Sequence, residues 1–487
     1  MTIEQVIEQA SEYQDKDNIA LIKKAYDFAS SAHGEQTRKS GELYIQHPLH
    51  TAFILAQIKS DLPTILAGLL HDVPEDTSTT LDDIRETFGE EVAHLVEGIT
   101  KLSKIRYRGI QRYRESLRKM FLAMAEDLRV ILIKFADRLH NLRTLDVLPK
   151  EKQKRIAQET LEIYAPIAGL LGIWSLRWQM EDICFKYLYP EEYKQLEYKY
   201  EIEKKVELKK YIEKLRHIVS EKLTEEQIPH HIDGRFKHLY SIWQKMQQKH
   251  RKFDEIHDVF ALRVIVNTLP DCYKALGIIH SIWKPNYTRF KDYIAVPKPN
   301  GYRSIHTTVF GPEGKPTEFQ IRTKQMHEEA LYGISAHWHY KQKRGGDSEK
   351  TPRWVQEILE IQREATSSQQ FLKEVKLDIF RDRIFVFTPK GDVHDLPGNA
   401  SPVDFAYSIH TDVGNKCVSA RINGRLAALE TPLKNGDMVE IVTDQNRAGP
   451  NYDWLGFVKT RRARDKIKQY ARRSRLETIK RFIPGLK

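Results

Sequence analysis

The sequence predicts a multidomain chain: an all-α N-terminal region, a central α/β domain around a sheet, and a small β-rich module ahead of a basic tail. Three observations predict it. Apolar residues recur at three- and four-residue spacing in TAFILAQI, TILAGLLHDV and VILIKFADRLHNL, a helical period with few β-rich runs between. From about residue 230 short β-branched runs alternate with helical pieces. Near 380 short strands begin to follow one another across Lys-Gly, Asn-Gly and Asn-Gly-Asp turns. At 487 residues the chain is also too long for one ordinary core.

In chain order, residues 1–190 read as the all-α domain. Residues 191–230 (EEYKQLEYKYEIEKKVELKKYIEKL) are polar on most faces and read as a solvated connecting helix. In residues 231–342, FALRVIV, DYIAV and IHTTVF read as strands, TEFQI alternates apolar with polar, and KHLYSIWQKMQQK reads as a helix. Residues 343–378 are a linker and helix that open on the exposed loop KQKRGGDSEKTP. Residues 379–444 (IFVFTP, GDVHDLP, ARINGRL, DMVEIVT) form the small sheet module, and 445–487 begin a basic helical region.

Composition narrows the function classes. Hydrophobic residues are 40% and charged residues 30%, no stretch approaches roughly 18 uninterrupted apolar residues, and MTIEQVIEQA is polar and acidic. A membrane span and a secretory signal are therefore not expected. Cys184, Cys272 and Cys417 form no CxxC pair, which excludes a thiolate zinc site and suits a reducing cytoplasm. The net charge of +11 is concentrated: from Lys459 onward twelve Lys/Arg face only Asp465 and Glu477, a local +10. Such a segment is either a solvated helix or a contact for RNA phosphates.

Two constellations carry chemistry. In the helical region, His71-Asp72 closes an apolar run and is followed by Val-Pro-Glu-Asp, His47 stands in YIQHPLH, and Asp137 interrupts the apolar KFADRLHNLRT. A first-row divalent ion such as manganese takes imidazole and carboxylate ligands from several elements and leaves positions open for water and phosphate. Pro74 disfavours continuation of the helix, so Glu75 and Asp76 are expected on a turn, free to position or deprotonate water. Asp137, Asn141 and Thr144, at i, i+4 and i+7, share one helix face. The alternative for Asp137 is a surface ion pair with Arg138 or Arg143.

In the α/β region, Arg235 precedes Lys237, Ser241 and Lys245, which fall at i, i+4 and i+8 on one face: a triphosphate grip or a solvated basic helix. Asp258 precedes one strand and Glu318 lies within another; two such carboxylates could hold Mg²⁺ against phosphates, and one could take a proton from an attacking hydroxyl. Between them KPNGYRSIHTTV supplies Lys298, Asn300 and His306, with Tyr302 as an aromatic face or a core ring. No GxxxxGK[ST] loop is present, which argues against an ordinary kinase or GTPase.

RKSGELYIQHP, HDVPEDT and KFADRLHNLRT, in this order, resemble the HD-type hydrolase domain of the long RelA/SpoT-family stringent-response enzymes. The resemblance implies His47, His71, Asp72 and Asp137 as Mn²⁺ ligands and Glu75 and Asp76 around the attacking water. It implies Arg38, Lys39, Ser40, Asn141 and Thr144 on the guanine nucleotide. Pro74 departs from the aliphatic residue usual there. GRFKHLYSIWQKM, RFKDYIAVPKPNGYRSIHTTV and EFQIRTKQMHEEALYGISAHW resemble the family's nucleotidyltransferase-like, mixed-sheet synthetase domain, which moves pyrophosphate from ATP to the 3′-hydroxyl of GTP or GDP. That implies Asp258 and Glu318 as Mg²⁺ carboxylates with Glu318 as base, Arg235, Lys237, Ser241, Lys245 and Arg263 on ATP, and Tyr302 stacked on guanine beside Lys298, Asn300 and His306. Arg289-Phe290-Lys291-Asp292 matches the basic motif of bifunctional members, whereas Phe236 and Arg303 replace a usual proline and glutamine.

FAYSIHTDVG, with His410, resembles the core of a TGS domain, a β-grasp module, and implies binding of deacylated tRNA on a stalled ribosome. Full-length members carry distal C-terminal regulatory domains that this chain lacks, as a naturally shortened or a truncated member. The implied activity is two-headed and reciprocally regulated: synthesis and hydrolysis of (p)ppGpp. The alternatives are a hydrolase with an inert second domain, against which Asp258, Glu318 and Tyr302 speak, and a ribosome- or tRNA-binding regulator, which predicts eroded ligand sets.

Overall fold

The computed structural model describes residues 1–103, 126–200, 205–250, 259–298, 300–333, 383–434 and 436–482, with Met120, Ala123 and Phe253 besides. The chain divides into two compact units, Met1–Lys350 and Thr351–Lys487. Asp258 lies outside the described residues.

The first unit opens with helices α1 (Ile3–Ser11), α2 (Lys16–His33), α3 (Gln46–Gln57), α4 (Leu62–Leu70), α5 (Val73–Asp76), α6 (Leu81–Phe88), α7 (Glu90–Ser103), α8 (Leu128–Arg143), α9 (Lys150–Glu159), α10 (Ala165–Leu170) and α11 (Trp174–Leu188). Their starts are written locally. Asp15, Asp61, Thr80 and Asp127 each accept a first-turn backbone N–H into the side chain. The central helix α4 buries every residue from Thr64 to Leu70 and packs on α2, α3 and α7. Gly68 permits the closest approach, since a Cβ there would meet Leu55 Cδ1 at 2.5 Å. α4 stops at Leu70, and the chain restarts as the single turn α5. Pro74 sits at that turn's second position, where no intrahelical donor is needed. Glu75 and Asp76 therefore ride on a helical turn rather than the irregular turn expected from the sequence.

The connector is not a solvated helix. Its described residues include α12 (Pro190–Tyr198) and α13 (Lys205–Glu225), and α13 buries Tyr211, Ile212, Leu215, Val219 and Leu223 against the following sheet. Those residues follow helical spacing, but the many Lys and Glu between them mask the stripe. The sheet comprises β1 (His230–Phe236), β2 (Phe260–Val266), β3 (Lys291–Asp292), β4 (Ile305–Phe310) and β5 (Pro316–Thr323) in the order β1-β2-β5-β4-β3. β2 and β5 run parallel and the other pairs antiparallel, so the sheet is mixed as expected. Helices α14 (Leu239–Lys249), α15 (Leu269–Ile282) and α16 (Lys324–Tyr332) complete this part. DYIAV is not a strand beyond Asp292, because Asp292 Oδ1 accepts the N–H groups of Ile294 and Ala295 and turns the backbone away.

Strand register sorts the sheet into two faces. Ile232, Leu262, Val264, Phe319, Ile321, Ile305 and Val309 share a core with α13 and α15. Asp233, Arg235, Arg263, Glu318, Gln320, Arg322, His306 and Thr308 occupy the other face.

In the second unit, β6 (Arg383–Phe387) pairs with β7 (Val393–Pro397), and β8 (Cys417–Ile422), β9 (Arg425–Ala427) and β10 (Val439–Thr443) form a sheet in the order β10-β8-β9. A parallel bridge between Phe387 and Met438 joins the two ladders. The β8–β9 turn holds Asn423 at φ 52° and Gly424 at φ 80°, the left-handed pair that an Asn-Gly hairpin uses. Helix α17 (Pro402–Ile409) packs on this sheet, α18 (Thr411–Asn415) follows it, and α19 (Arg461–Phe482) carries the basic tail. Ala463 and Ile467 of α19 are buried with Trp454, Val458 and Tyr407. No described helix is long and apolar enough to cross a membrane. The three cysteines are buried free thiols.

Asp404 holds this unit together. Fully buried, it accepts from Ser401 N and Oγ at 2.8 and 2.7 Å, from Thr460 N and Oγ1 at 2.7 and 2.8 Å, and from Lys459 N at 2.9 Å. It thereby caps α17 and ties down the start of α19. Asp404→Ala would strand several buried donors, so the second unit is expected to lose roughly 2–4 kcal/mol. Calorimetric melting checks this; an unshifted transition would count against it.

Candidate functional site

Three segments converge in the helical part of the first unit: the start of α3 brings His47, the break between α4 and α5 brings His71 and Asp72, and α8 brings Asp137. His47 Nε2 lies 3.5 Å from Asp72 Oδ2 and 3.3 Å from Asp137 Oδ1, and His71 Nε2 lies 3.2 Å from Asp72 Oδ1. Single ligand atoms of His47, His71 and Asp137 all fall within 4.8 Å of one another, and all three residues are buried. Asp137 is 6% exposed and pairs with Lys134 at 2.7 Å. Arg138 turns to Tyr164 and Glu159, and Arg143 to Gln179, so the surface ion pair considered for Asp137 does not form.

These groups fit a divalent ion. His71 Nδ1–H donates to the Gly68 carbonyl at 2.9 Å, which leaves Nε2 as a lone pair. That buried Nε2 faces Asp72 Oδ1 at 3.2 Å, a nitrogen–carboxylate pair into which a cation fits. His47 Nδ1 lies 2.7 Å from His140 Nδ1. Burial, with His47 and His50 nearby, pushes the His140 pKa down to about 2, so His140 is neutral, and its Nδ1 accepting from His47 Nδ1–H would leave His47 Nε2 free for a ligand. Burial opposes ionisation of Asp137, but Lys134 and His47 overcome it and hold the carboxyl well below its usual range.

Around this centre, Tyr44 Oη donates to Asp72 Oδ2 at 3.1 Å and to Asp76 Oδ2 at 2.5 Å, tying the ion-facing carboxylate to the exposed one. Burial and the Asp72 charge raise the Glu75 carboxyl above its usual value. Arg38 donates to Asn141 Oδ1 at 2.8 Å, and Asn141 in turn donates to Asp137. Lys39 and Ser40 stand exposed on the tight turn that Gly41 closes at φ 84°. Thr144 Oγ1 folds back on the His140 carbonyl at 3.4 Å.

On the polar face of the sheet, Glu318 lies 3.4 Å from His306 Nδ1 and 3.9 Å from Lys237 Nζ, and accepts from Gln320 at 2.9 Å. Burial alone would raise its pKa, but His306 and Lys237 win and hold it down at about 2. Tyr302 Oη and His306 Nε2 are 2.8 Å apart, and Lys298 Nζ lies 4.6 and 5.2 Å from the Tyr293 and Tyr302 rings. Tyr302 is therefore part of the polar cluster, not a core ring. Asn300 instead turns its side-chain amide to the Gly169 carbonyl at 3.2 Å. Lys237 precedes α14, and Ser241 and Lys245 stand on it.

Beside Glu318 the strands gather Arg235, Arg263 and Arg322 on one face. Arg263 meets Asp233 at 3.3 Å, yet the Nε atoms of Arg263 and Arg322 are buried without partners. Burial and the neighbouring guanidinium groups pull Arg322 down to about 10 and His327 down to about 3. Crowded, underbonded cations on one face define an anion site. Sequence reading missed Arg322 and His327, although Glu318, Gln320 and Arg322 share a face by simple alternation in TEFQIRT. It also missed Lys134, which pairs with Asp137 one turn along α8, and Tyr44 and His140, whose partners are remote in sequence. His410 is exposed beside Asp412 and accepts its N–H at 3.2 Å, capping α18.

The first unit thus combines a helical His/Asp centre fit for a divalent ion with a cationic face on a mixed sheet. The HD domain matches residues 25–174, the region found in RelA/SpoT proteins matches 234–345, and the TGS domain matches 384–443. Relatives include a GTP pyrophosphokinase of Myxococcus xanthus, 48% identical over 96% of this chain and 62% of its own length. A guanosine-3′,5′-bis(diphosphate) 3′-pyrophosphohydrolase of Aquifex aeolicus is 49% identical over 94% of this chain and 65% of its own. The bifunctional (p)ppGpp synthase/hydrolase SpoT of Escherichia coli is 47% identical over the same shares. The chain spans less than two thirds of the length of each. It carries the region found in RelA/SpoT proteins between an HD and a TGS domain and is similar to these relatives along nearly all of its own length.

Removing a ligand should open the centre without unfolding it. In Mn²⁺ titration calorimetry, His71→Ala and Asp137→Ala are expected to weaken the tightest site by roughly 100-fold or more, at or beyond the scale of outer-shell losses. Affinity equal to that of the unaltered chain would remove these residues from the centre.

Proposed function

We propose that the chain is a bifunctional (p)ppGpp enzyme, which transfers pyrophosphate from ATP to the 3′-hydroxyl of GTP or GDP at the sheet and removes the 3′-pyrophosphate of (p)ppGpp among the helices. One observation supports it: ligand atoms of His47, His71 and Asp137 lie within 4.8 Å of one another beside Asp72, and Glu318 faces His306 and Lys237 in the same compact unit. A regulator with vestigial sites would keep neither.

At the helical site a manganese ion held by His47, His71, Asp72 and Asp137 would supply a Lewis acid and an acidified water. Asp76, bonded to Tyr44, and Glu75, whose carboxyl is raised, flank that position. Glu75 is the base, because a carboxyl lifted above its usual range takes a proton more readily. Arg38, Lys39, Ser40, Asn141 and Thr144 receive the guanine nucleotide, with Arg38 and Asn141 already joined.

At the sheet, Mg²⁺ held by Glu318 and Asp258 would neutralise charge on the phosphates of ATP. Arg235, Lys237, Ser241, Lys245 and Arg263 grip those phosphates, and the underbonded Arg322 joins them. Glu318 accepts the proton of the attacking 3′-hydroxyl, with His306 and Lys237 fixing its orientation. Tyr302 stacks on guanine beside Lys298, Asn300 and His306. Running both reactions together would only consume ATP, so the two are expected to oppose one another. The TGS region and basic tail are the surfaces for a stalled ribosome and deacylated tRNA, and the cytoplasm is the site of action.

Two substitutions separate the activities. Asp72→Ala should abolish Mn²⁺-dependent hydrolysis and spare synthesis, and Glu318→Gln should do the reverse, both followed by nucleotide chromatography. Loss of both activities in either folded variant would contradict separate sites. Because the ionised form of Glu75 is the active base, hydrolysis should rise with pH through a pKa above that of ordinary glutamate. Glu75→Gln should erase that limb, and an unchanged pH profile would dismiss Glu75.

A further inference from the structure

Helix α14, which carries Ser241 and Lys245, has no side-chain cap of its own: His238 stands at its N-cap position and does not bond back to the first turn. The cap comes from α11, in the helical part of the unit. Asp182 Oδ1 accepts Tyr240 N–H at 2.9 Å and Oδ2 accepts Leu239 N–H at 3.3 Å. The preceding residue, Glu181, is 6% exposed, lies 2.9 Å from His238 Nε2, and takes Arg177 Nε at 2.8 Å on its other oxygen. Adjacent carboxylates of one helix thus hold the N-cap residue and the first two N–H groups of another. Lys237, 3.9 Å from Glu318, lies immediately before this clamp, and Ser241 immediately after it.

α11 is itself fixed on two sides. Arg143, at the end of α8, donates to Gln179 at 2.6 Å, and Ser175 Oγ donates to the Leu331 carbonyl of α16 at 3.1 Å. The start of α14 is therefore referenced to a helix braced against α8, which carries Asp137. A carboxylate at a helix N-terminus satisfies orphan donors and meets the positive end of the helix dipole. With its first two N–H groups occupied, α14 meets an anion through side chains and not through its backbone.

We propose that Asp182 and Glu181 are positioning residues for ATP: they set the angle and register at which Lys237, Ser241 and Lys245 face the triphosphate. The inference rests on the reading of α14 as the ATP grip. It places determinants of ATP affinity on a helix that carries none of the residues assigned to either nucleotide and lies outside the sheet part.

The test uses the full chain with Asp182→Ala, Asp182→Asn and, as reference, Lys237→Ala. Affinity for a non-hydrolysable ATP analogue is measured by calorimetry, with KM for ATP and for GDP, hydrolysis and thermal melting alongside. Loss of a cap predicts that Asp182→Ala weakens the analogue and raises KM for ATP by roughly five- to tenfold. KM for GDP and hydrolysis should stay unchanged, and Asp182→Asn, whose amide oxygen still accepts, should recover most of the loss. Unaltered analogue affinity in Asp182→Ala, while Lys237→Ala loses it, would overturn the clamp alone. Unaltered affinity in Lys237→Ala would overturn the reading of α14 itself. Equal falls in both activities and in the melting temperature for Ala and Asn alike would show a merely structural role and also overturn the proposal.

Discussion

Two carboxylates, Asp72 and Asp137, are held within 3.5 Å of a single imidazole nitrogen in the interior of a helical bundle. Such charges repel one another and lose water, so the arrangement persists only if positive charge sits among them. Lys134 supplies one such charge to Asp137, and the unsatisfied Nε2 of His71 points to where a second belongs. The neighbouring structure serves that constraint. His140 lies 2.7 Å from His47 Nδ1 and the Gly68 carbonyl accepts from His71 Nδ1, so both histidines turn Nε2 toward the carboxylates, and Gly68 leaves room for the Leu55 side chain between α3 and α4.

The sheet solves the opposite problem. Arg235, Arg263 and Arg322 crowd on one face with Asp233 as their close counter-charge, and burial makes their charge costly. A polyanion would relieve that strain. Glu318 sits beside this cluster yet stays ionised because His306 and Lys237 outweigh its burial. One unit therefore contains an anionic centre suited to a cation and a cationic sheet face suited to phosphates, and α11 packs on elements of both, α8 and α14.

Much of this was legible in the sequence, for reasons tied to particular residues. His71-Asp72 and Asp137 interrupt apolar helical runs, and a buried charge in such a run needs a purpose. TEFQIRT shows its alternation directly. Part of what stayed hidden depends on partners far along the chain and part on local contacts that composition does not reveal. Lys134 reads as one more surface lysine until α8 is packed, and Tyr44 as a loop aromatic until it reaches Asp72 and Asp76. Asp404 looks like a capping-box acid alone, although it also anchors Lys459 and Thr460. The stripe on α13 was lost among its charges, and the Asx turn at Asp292 ended a run whose composition favoured a strand. For Tyr44 and Asp404 tertiary context outweighed a local pattern, and at Asp292 one local interaction outweighed another.

The central claim is that two opposed reactions on one guanine nucleotide occupy separate sites in this chain. The direct measurement is a two-stage incubation of the purified chain followed by chromatography, first with ATP, GDP and Mg²⁺, then with the isolated product and Mn²⁺. The account predicts equal amounts of AMP and guanosine 3′,5′-bis(diphosphate) in the first stage, and GDP with pyrophosphate in the second. ADP with GTP, free orthophosphate, or a product that survives the second stage intact would contradict it.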